Sequence, residues 1–96
     1  MTKADIVAEI AEKTGLEKVD VQTTLEAFMK EVKESLEGGE NVYLRGFGSF
    51  IIKERAKKTG RNISKNTTII IPAHNIPSFK PAKVFVDGVK TKVEVK

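Results

Sequence analysis

The sequence predicts an α+β fold. Its parts are a helical hairpin base, a three-stranded antiparallel sheet extended into a long β-ribbon arm, and a short C-terminal helix. Three observations predict it. Apolar residues in 1–40 recur at helical spacing and stop at Gly38-Gly39. From Asn41 to Lys80 the pattern changes to short β-branched and aromatic runs punctuated by Gly and Pro. Inside that stretch, Lys53 to His74 opens cationic, carries turn formers around Gly60-Arg61-Asn62, and closes on Thr67-Thr68-Ile69-Ile70-Ile71. A ribbon with so few apolar residues on its first strand has no core to join, and its charge asks for an anionic neighbour.

The first helix opens at Thr2, where Thr2-Lys3-Ala4-Asp5 fits a capping box. Ile6, Val7 and Ile10 form its stripe, supported by Ala11. Gly15 suits the left-handed residue that ends a helix, with Leu16 packing back over it. The second helix runs from Lys18 to Glu37 on the stripe Val21, Leu25, Phe28, Met29, Val32 and Leu36. Glu17 and Asp20 suit the positive end of its dipole. Glu26 and Lys30 are spaced for an i,i+4 pair of ~0.3 kcal/mol. A DNA-reading helix-turn-helix needs a basic second helix. Here residues 19–37 carry Lys30 and Lys33 against five acids, which argues against it.

A short strand follows over Asn41–Arg45, with Val42 and Leu44 on one face and Tyr43 and Arg45 on the other. Gly46-Phe47-Gly48 is a tight turn that presents Phe47. It lacks the third glycine and the following helix of a dinucleotide-binding loop. Ser49 to Lys53 is the next strand, with Phe50 and Ile52 facing in. The arm spans about residues 53–75. Ile76 to Lys80 is extended, and Pro77 restricts it to an edge or a strand end. Pro81 is placed as the first residue of a helix over 81–90 carrying Val84 and Phe85. Residues 91–96 alternate polar and apolar, which fits a frayed strand or an unstructured tail.

With 96 residues the chain is one domain, 1–96. A domain this small buries a limited fraction of its surface, which favours dimerisation as a source of core. The formal charge of +4 hides an asymmetry. Residues 1–40 hold five lysines against ten acids, a net of −5. Residues 41–96 hold twelve Lys and Arg against three acids, a net of +9. A basic half joined to an acidic half points to a polyanion partner on one side. There is no cysteine, hence no disulfide and no thiolate metal site. No stretch has the length of a membrane span, and the N-terminus lacks the apolar run of a signal peptide, so a cytoplasmic location is expected.

Lys53, Arg55, Lys57 and Arg61 fall at even spacing, which a regular strand puts on one face. Lys58 falls on the other, and Lys65 lies near the tip. Such a row can follow a phosphate backbone and release its counterions. It also keeps an edge strand soluble. Ile63 is apolar at the tip of a polar arm. Either it is an incidental exposed residue, or it is a wedge that unstacks base steps from the minor groove. His74 is the lone imidazole, so a metal site is not expected. Ser35, Ser49, Ser64 and Ser78 have no base partner besides it. No constellation for catalysis is present, and the chain does not read as an enzyme. No cofactor is expected.

Gly46-Phe47-Gly48-Ser49-Phe50, Arg55-Ala56, Thr59-Gly60-Arg61-Asn62, Ile71-Pro72-Ala73 and Pro77-Ser78-Phe79-Lys80 together resemble the bacterial histone-like DNA-binding proteins, the HU/IHF family. The resemblance runs from residue 1 to about 90. It implies an intertwined homodimer with a helical base and two β-arms that embrace double-stranded DNA. It implies arm contacts from Lys53, Arg55, Lys57, Lys58, Arg61, Asn62 and Lys65, with Ile63 as the intercalating wedge. It further implies backbone contacts from Lys80 and Lys83 on the saddle and a flank contact from Lys3. Phe28, Phe47, Phe50 and Phe79 are the implied dimer interface. Three departures stand out. Ile63 occupies the position usually held by Pro, Asn66 that usually held by Gly, and Asn66 to Ile76 holds no Lys or Arg.

The function expected from these features is architectural: minor-groove binding of duplex DNA with low sequence specificity, bending or compacting it in the nucleoid. The alternatives are a site-specific bender of the IHF type and a protein-interaction module whose basic arms bind acidic partners.

Overall fold

The computed structural model describes residues 1–62 and 67–95, with Arg61 and Asn62 as backbone only. The expectations for Ile63, Lys65 and Asn66 lie outside the described residues. In chain order the elements are α1 (Lys3–Thr14), α2 (Lys18–Glu37), β1 (Val42–Leu44), β2 (Gly48–Arg55), β3 (Lys58–Asn62), β4 (Thr67–Ile71), β5 (His74–Pro81) and α3 (Lys83–Lys92). They divide into two compact units, Met1–Ser35 and Leu36–Lys96.

In the first unit the capping box forms in both directions. Thr2 Oγ1 accepts from the Asp5 N–H at 3.3 Å, and Asp5 Oδ2 accepts from the Thr2 N–H at 2.9 Å. This satisfies two of the N–H groups that a helix start leaves without partners. Gly15 ends α1 at φ 78°, a conformation costly for any residue with a Cβ, and its N–H reaches the Ala11 carbonyl. Val7, Val21 and Val32 are the buried hydrophobic residues among those described. Ile10, Leu16, Val21, Leu25 and Phe28 line an open apolar groove of about 310 Å³. The expected Glu26–Lys30 pair does not form. Glu26 Oε1 instead accepts from Gln22 Nε2 at 2.9 Å and Lys3 Nζ at 3.4 Å, while Lys30 reaches Glu34 at 3.9 Å. Glu26 thus has competing donors one turn back and on α1.

In the second unit the strands run in the order β1-β2-β5, all antiparallel, with β3-β4 as a separate two-stranded ladder. β1 is shorter than expected. Asn41 stays outside it and uses its side chain to bind the Ile52 N–H, while Arg45 joins the turn closed by Phe47 N–H to Leu44 O at 3.0 Å. β5 is an edge strand, as Pro77 required.

The arm is a ribbon with one interruption. β2 and β5 pair from Gly48↔Pro81 to Arg55↔His74. β3 and β4 resume at Lys58↔Ile71 and run to Asn62↔Thr67. Two residues are skipped on each side, Ala56-Lys57 and Pro72-Ala73, so the register continues unchanged across the gap. Pro72 supplies the reason. In an antiparallel pair, alternate residues of a strand direct their N–H and C=O toward the partner. Pro77 and Pro81 fall on the outward phase of β5, where a missing N–H costs the ladder nothing. Pro72 falls on the opposite phase, where the ladder needs a donor that Pro lacks. The Pro72 carbonyl is taken up locally, by His74 Nδ1 at 3.0 Å.

α3 starts later than expected. Pro81 is not its first residue but the last of β5, opposite Gly48, and the Ala82 N–H donates to Phe47 O at 2.9 Å. The chain is therefore held in the sheet through Pro81 and turns into the helix at Lys83. α3 passes through Gly88 and takes in Thr91 and Lys92, with Thr91 Oγ1 bonded to Asp87 O. Among the described residues no helix is long and apolar enough to cross a membrane.

Candidate nucleic-acid interface

The register assigns side chains to faces, because residues directly opposite in a ladder share one. Ser49 pairs with Lys80, Lys53 with Ile76, and Arg55 with His74. Phe50 pairs with Phe79 and Ile52 with Pro77 on the other face. The β2–β5 ribbon therefore has one face bearing Lys80, Lys53 and Arg55, with Ile51 and Ile76 between them, and another bearing Phe50, Phe79, Ile52 and Pro77, with Glu54 and Asn75 toward the arm. Lys53, Arg55, Lys57, Lys58, Lys80 and Lys83 are all exposed. Among the described residues the ion pairs, Lys3–Glu26 and Lys30–Glu34, lie on the helices and take up none of these cations.

Lys57 lies in the interruption, and Lys58 opens β3 opposite Ile71. Arg61 stands opposite Thr68 and Asn62 opposite Thr67. Ile63 and Lys65 lie outside the described residues. The returning strand β4 contributes no charge and exposes Ile69, Ile70 and Ile71. Lys3 is already engaged by Glu26. Gln22 first, then the Lys3 hydrogen bond and charge, hold the Glu26 carboxyl below its ordinary range.

The structure brings Phe47, Phe50 and Phe79 together. Ring centroids are 5.2 Å apart for Phe47–Phe79 and 5.0 Å for Phe50–Phe79. Phe85 of α3 joins them, stacked on Phe47 at 5.5 Å. Its membership was not read from the sequence, although an aromatic in the first turn after a sheet-edge Pro was a usable signal. Phe28 lines the groove of the first unit instead. The cluster is only half covered: Phe47 is 46% and Phe79 36% exposed. Two further residues had no assigned role in the sequence. Tyr43 and Arg45 line a groove of about 520 Å³ with Ser49, Lys80 and Lys83. Among the described residues no group of three His, Cys, Asp or Glu is gathered for a metal.

The family described as bacterial DNA-binding protein matches residues 1–90. The chain is 41% identical over 92 residues to the SPbeta prophage-derived DNA-binding protein HU 2 of Bacillus subtilis, covering 96% of this chain and all of that one. It is 42% identical to the DNA-binding protein HU of Thermus thermophilus, over 94% of this chain and 93% of the other. Identity is also 42% to the integration host factor subunit alpha of Aliivibrio fischeri, over 86% and 85% of the two chains. A cocrystal structure of HU with DNA from Anabaena superposes with a TM-score of 0.86 at 34% identity, over 98% of this chain and 100% of that one. An α+β chain with this strand order, this cationic ribbon and these relatives belongs to the bacterial DNA-binding protein family of HU and integration host factor, a family of architectural proteins and not of enzymes.

Proposed function

We propose that this chain is an architectural protein of the nucleoid that works as a homodimer, binds duplex DNA through the minor groove with low sequence specificity, and bends or compacts it. The observation that carries the reading is the register that puts Lys80, Lys53 and Arg55 on a single face of the ribbon. The similarity to an HU chain cocrystallised with DNA supports it. Lys53, Arg55, Lys57, Lys58, Arg61, Asn62 and Lys65 are the arm contacts in this reading, with Lys80 and Lys83 on the saddle and Lys3 on the flank. Ile63 is the wedge, whose insertion unstacks a base step and is offset by the additional contact a bent duplex allows. Low specificity follows from contacts that are mainly to phosphate, leaving sequence to enter through DNA deformability.

The dimer is supported by what the single chain leaves uncovered. Among the described residues three buried valines make a small core, and Phe28, Phe47, Phe79 and Phe85 all remain partly exposed. Exposed apolar area of that kind marks a protein interface. Phe28, Phe47, Phe50 and Phe79 are its proposed aromatic residues.

Duplex affinity measured against salt tests the reading. The logarithm of the binding constant should fall linearly with that of salt, with ~0.9 of slope per phosphate neutralised. Arg55→Ala should reduce the slope. A flat titration would sink the DNA reading and favour an acidic protein partner. The similarity to integration host factor favours one second reading, a site-specific bender. A large affinity ratio between selected and random duplexes would decide for it.

A further inference from the structure

Tyr43 of β1 stands opposite Ser49 of β2, which stands opposite Lys80 of β5. The three form a row across the sheet on the face that also bears Lys53 and Arg55. Tyr43 is 71% exposed, unusual for an aromatic in a three-residue strand whose neighbours Val42 and Leu44 are half-buried. Its hydroxyl is held in position. Asn41 Oδ1 accepts the Ile52 N–H at 3.0 Å, which fixes which end of the amide points where. Asn41 Nδ2 is therefore the atom facing Tyr43, and it donates to Oη at 3.2 Å. A phenol that already accepts keeps its own proton for another acceptor. Among the described residues no acceptor for that proton is recorded. The groove beside it is lined by Arg45, Ser49, Lys80 and Lys83 and by no acidic residue. An acceptor-only, negatively charged group fits that surface.

We propose that Tyr43, oriented by Asn41, donates a hydrogen bond to a backbone phosphate of bound duplex DNA, at a saddle site whose charge comes from Arg45, Lys80 and Lys83. The proposal rests on the DNA-binding reading and adds a neutral, directional contact to it. The cations hold the phosphate by charge, and the phenol fixes where along the backbone it sits.

The test uses the full chain and one duplex, titrated with salt. Tyr43→Phe removes a single oxygen from an exposed site, so folding is not at issue. It should weaken binding about tenfold, the loss of one hydrogen bond to a charged acceptor, and leave the salt slope unchanged because no cation is removed. Lys80→Ala should lower the slope by ~0.9 per site. Asn41→Asp keeps the acceptor for the Ile52 N–H but turns the donor facing Tyr43 into an acceptor, which captures the phenolic proton. In that background Tyr43→Phe should change affinity less than twofold. Tyr43→Phe binding within twofold of the unaltered protein would overturn the proposal, as would a full tenfold loss in the Asn41→Asp background. Absence of salt-dependent duplex binding by the unaltered protein would be the failure of the DNA reading itself, a separate outcome.

Discussion

Gly48→Ala should destabilise the fold severely while Gly60→Ala should not. Gly48 is buried where β2 leaves the turn, paired with Leu44 on one side and Pro81 on the other. A Cβ built on it lies 2.6 Å from Phe79 Cζ, 2.7 Å from Phe79 Cε1 and 2.7 Å from the Lys80 carbonyl oxygen. The ring could swing aside only by leaving its contacts with Phe47, Phe50 and Phe85. The carbonyl is main chain in the β2–β5 ladder and cannot move without opening it. Overpacking of this kind costs about 1–3 kcal/mol, and a disrupted aromatic pair about 0.5–1.5 kcal/mol more. The sum is about 2–4 kcal/mol. At about 4–8 °C per kcal/mol for a domain of this size, Tm should fall by about 8–32 °C. At Gly60, in β3 opposite Ile69, an added Cβ meets nothing within 4 Å. There the change should be under about 1 kcal/mol and stabilising, through the lost freedom of the unfolded chain. Thermal unfolding at one fixed protomer concentration measures both, since a dimer's Tm depends on concentration. If Gly48→Ala melted within 2 °C of the parent, or if Gly60→Ala fell as far, the packing argument would be wrong.

Three further outcomes are expected. Glu26 has a depressed folded pKa, so its interaction with Gln22 and Lys3 stabilises above the unfolded carboxylate value near 4.5 and is lost as pH falls through the lower folded value. Glu26→Gln should flatten that acid limb in melts against pH and, by freeing Lys3, steepen the salt slope of duplex binding by up to ~0.9; an unchanged slope would remove Lys3 from the contact set. Ile63→Ala should reduce DNA bending more than affinity, read by energy transfer between dyes at the duplex ends, and equal bending by both proteins would refute the wedge. Phe47→Asp puts a charge within the aromatic cluster and should give a monomeric or unfolded chain; a stable dimer in sedimentation would contradict the proposed interface.

Local features of this fold were legible in the sequence and non-local pairings were not. The capping box at Thr2 and the left-handed stop at Gly15 each depend on a few adjacent residues. The bounds of α2, Lys18 to Glu37, follow from the spacing of its own stripe. Most misses involve a partner far along the chain; the run of α3 to Lys92, with Thr91 Oγ1 on Asp87 O, and the loss of Arg45 to the turn are local ones. Glu26 abandons Lys30 for Lys3, 23 residues away. Asn41 is drawn off β1 by the Ile52 N–H, 11 residues on. Pro81 stays in the sheet because Gly48 lies opposite and Phe47 O receives the next N–H. The break in the arm has the same origin. Pro72 is plain in the sequence, but whether its missing N–H matters depends on its phase against β2, which only the register sets. The candidate site was half legible for the same reason. Period-two spacing gathers Lys53 and Arg55, whereas bringing Lys80 and Tyr43 to their face requires knowing both neighbours of Ser49.

That dependence ties stability to function at one residue. Shifting a strand by one position exchanges its two faces. A slip of β5 against β2 would carry Lys80 to the side of Phe50, and Phe79 to the side of Lys53 and Arg55. The one-sided cationic surface and the aromatic cluster would be lost together. What resists the slip is the close approach at Gly48, where the Phe79 ring and the Lys80 carbonyl occupy the space a Cβ would need. Any other residue of β2 brought to that point carries a side chain that does not fit. The same contact then fixes the phase that leaves Pro77 and Pro81 harmless and makes Pro72 the break, so the position of the gap in the arm is set from its base. Gly48 therefore ties the two surfaces to one contact: by holding one register it decides which residues share the cationic face and which share the aromatic one.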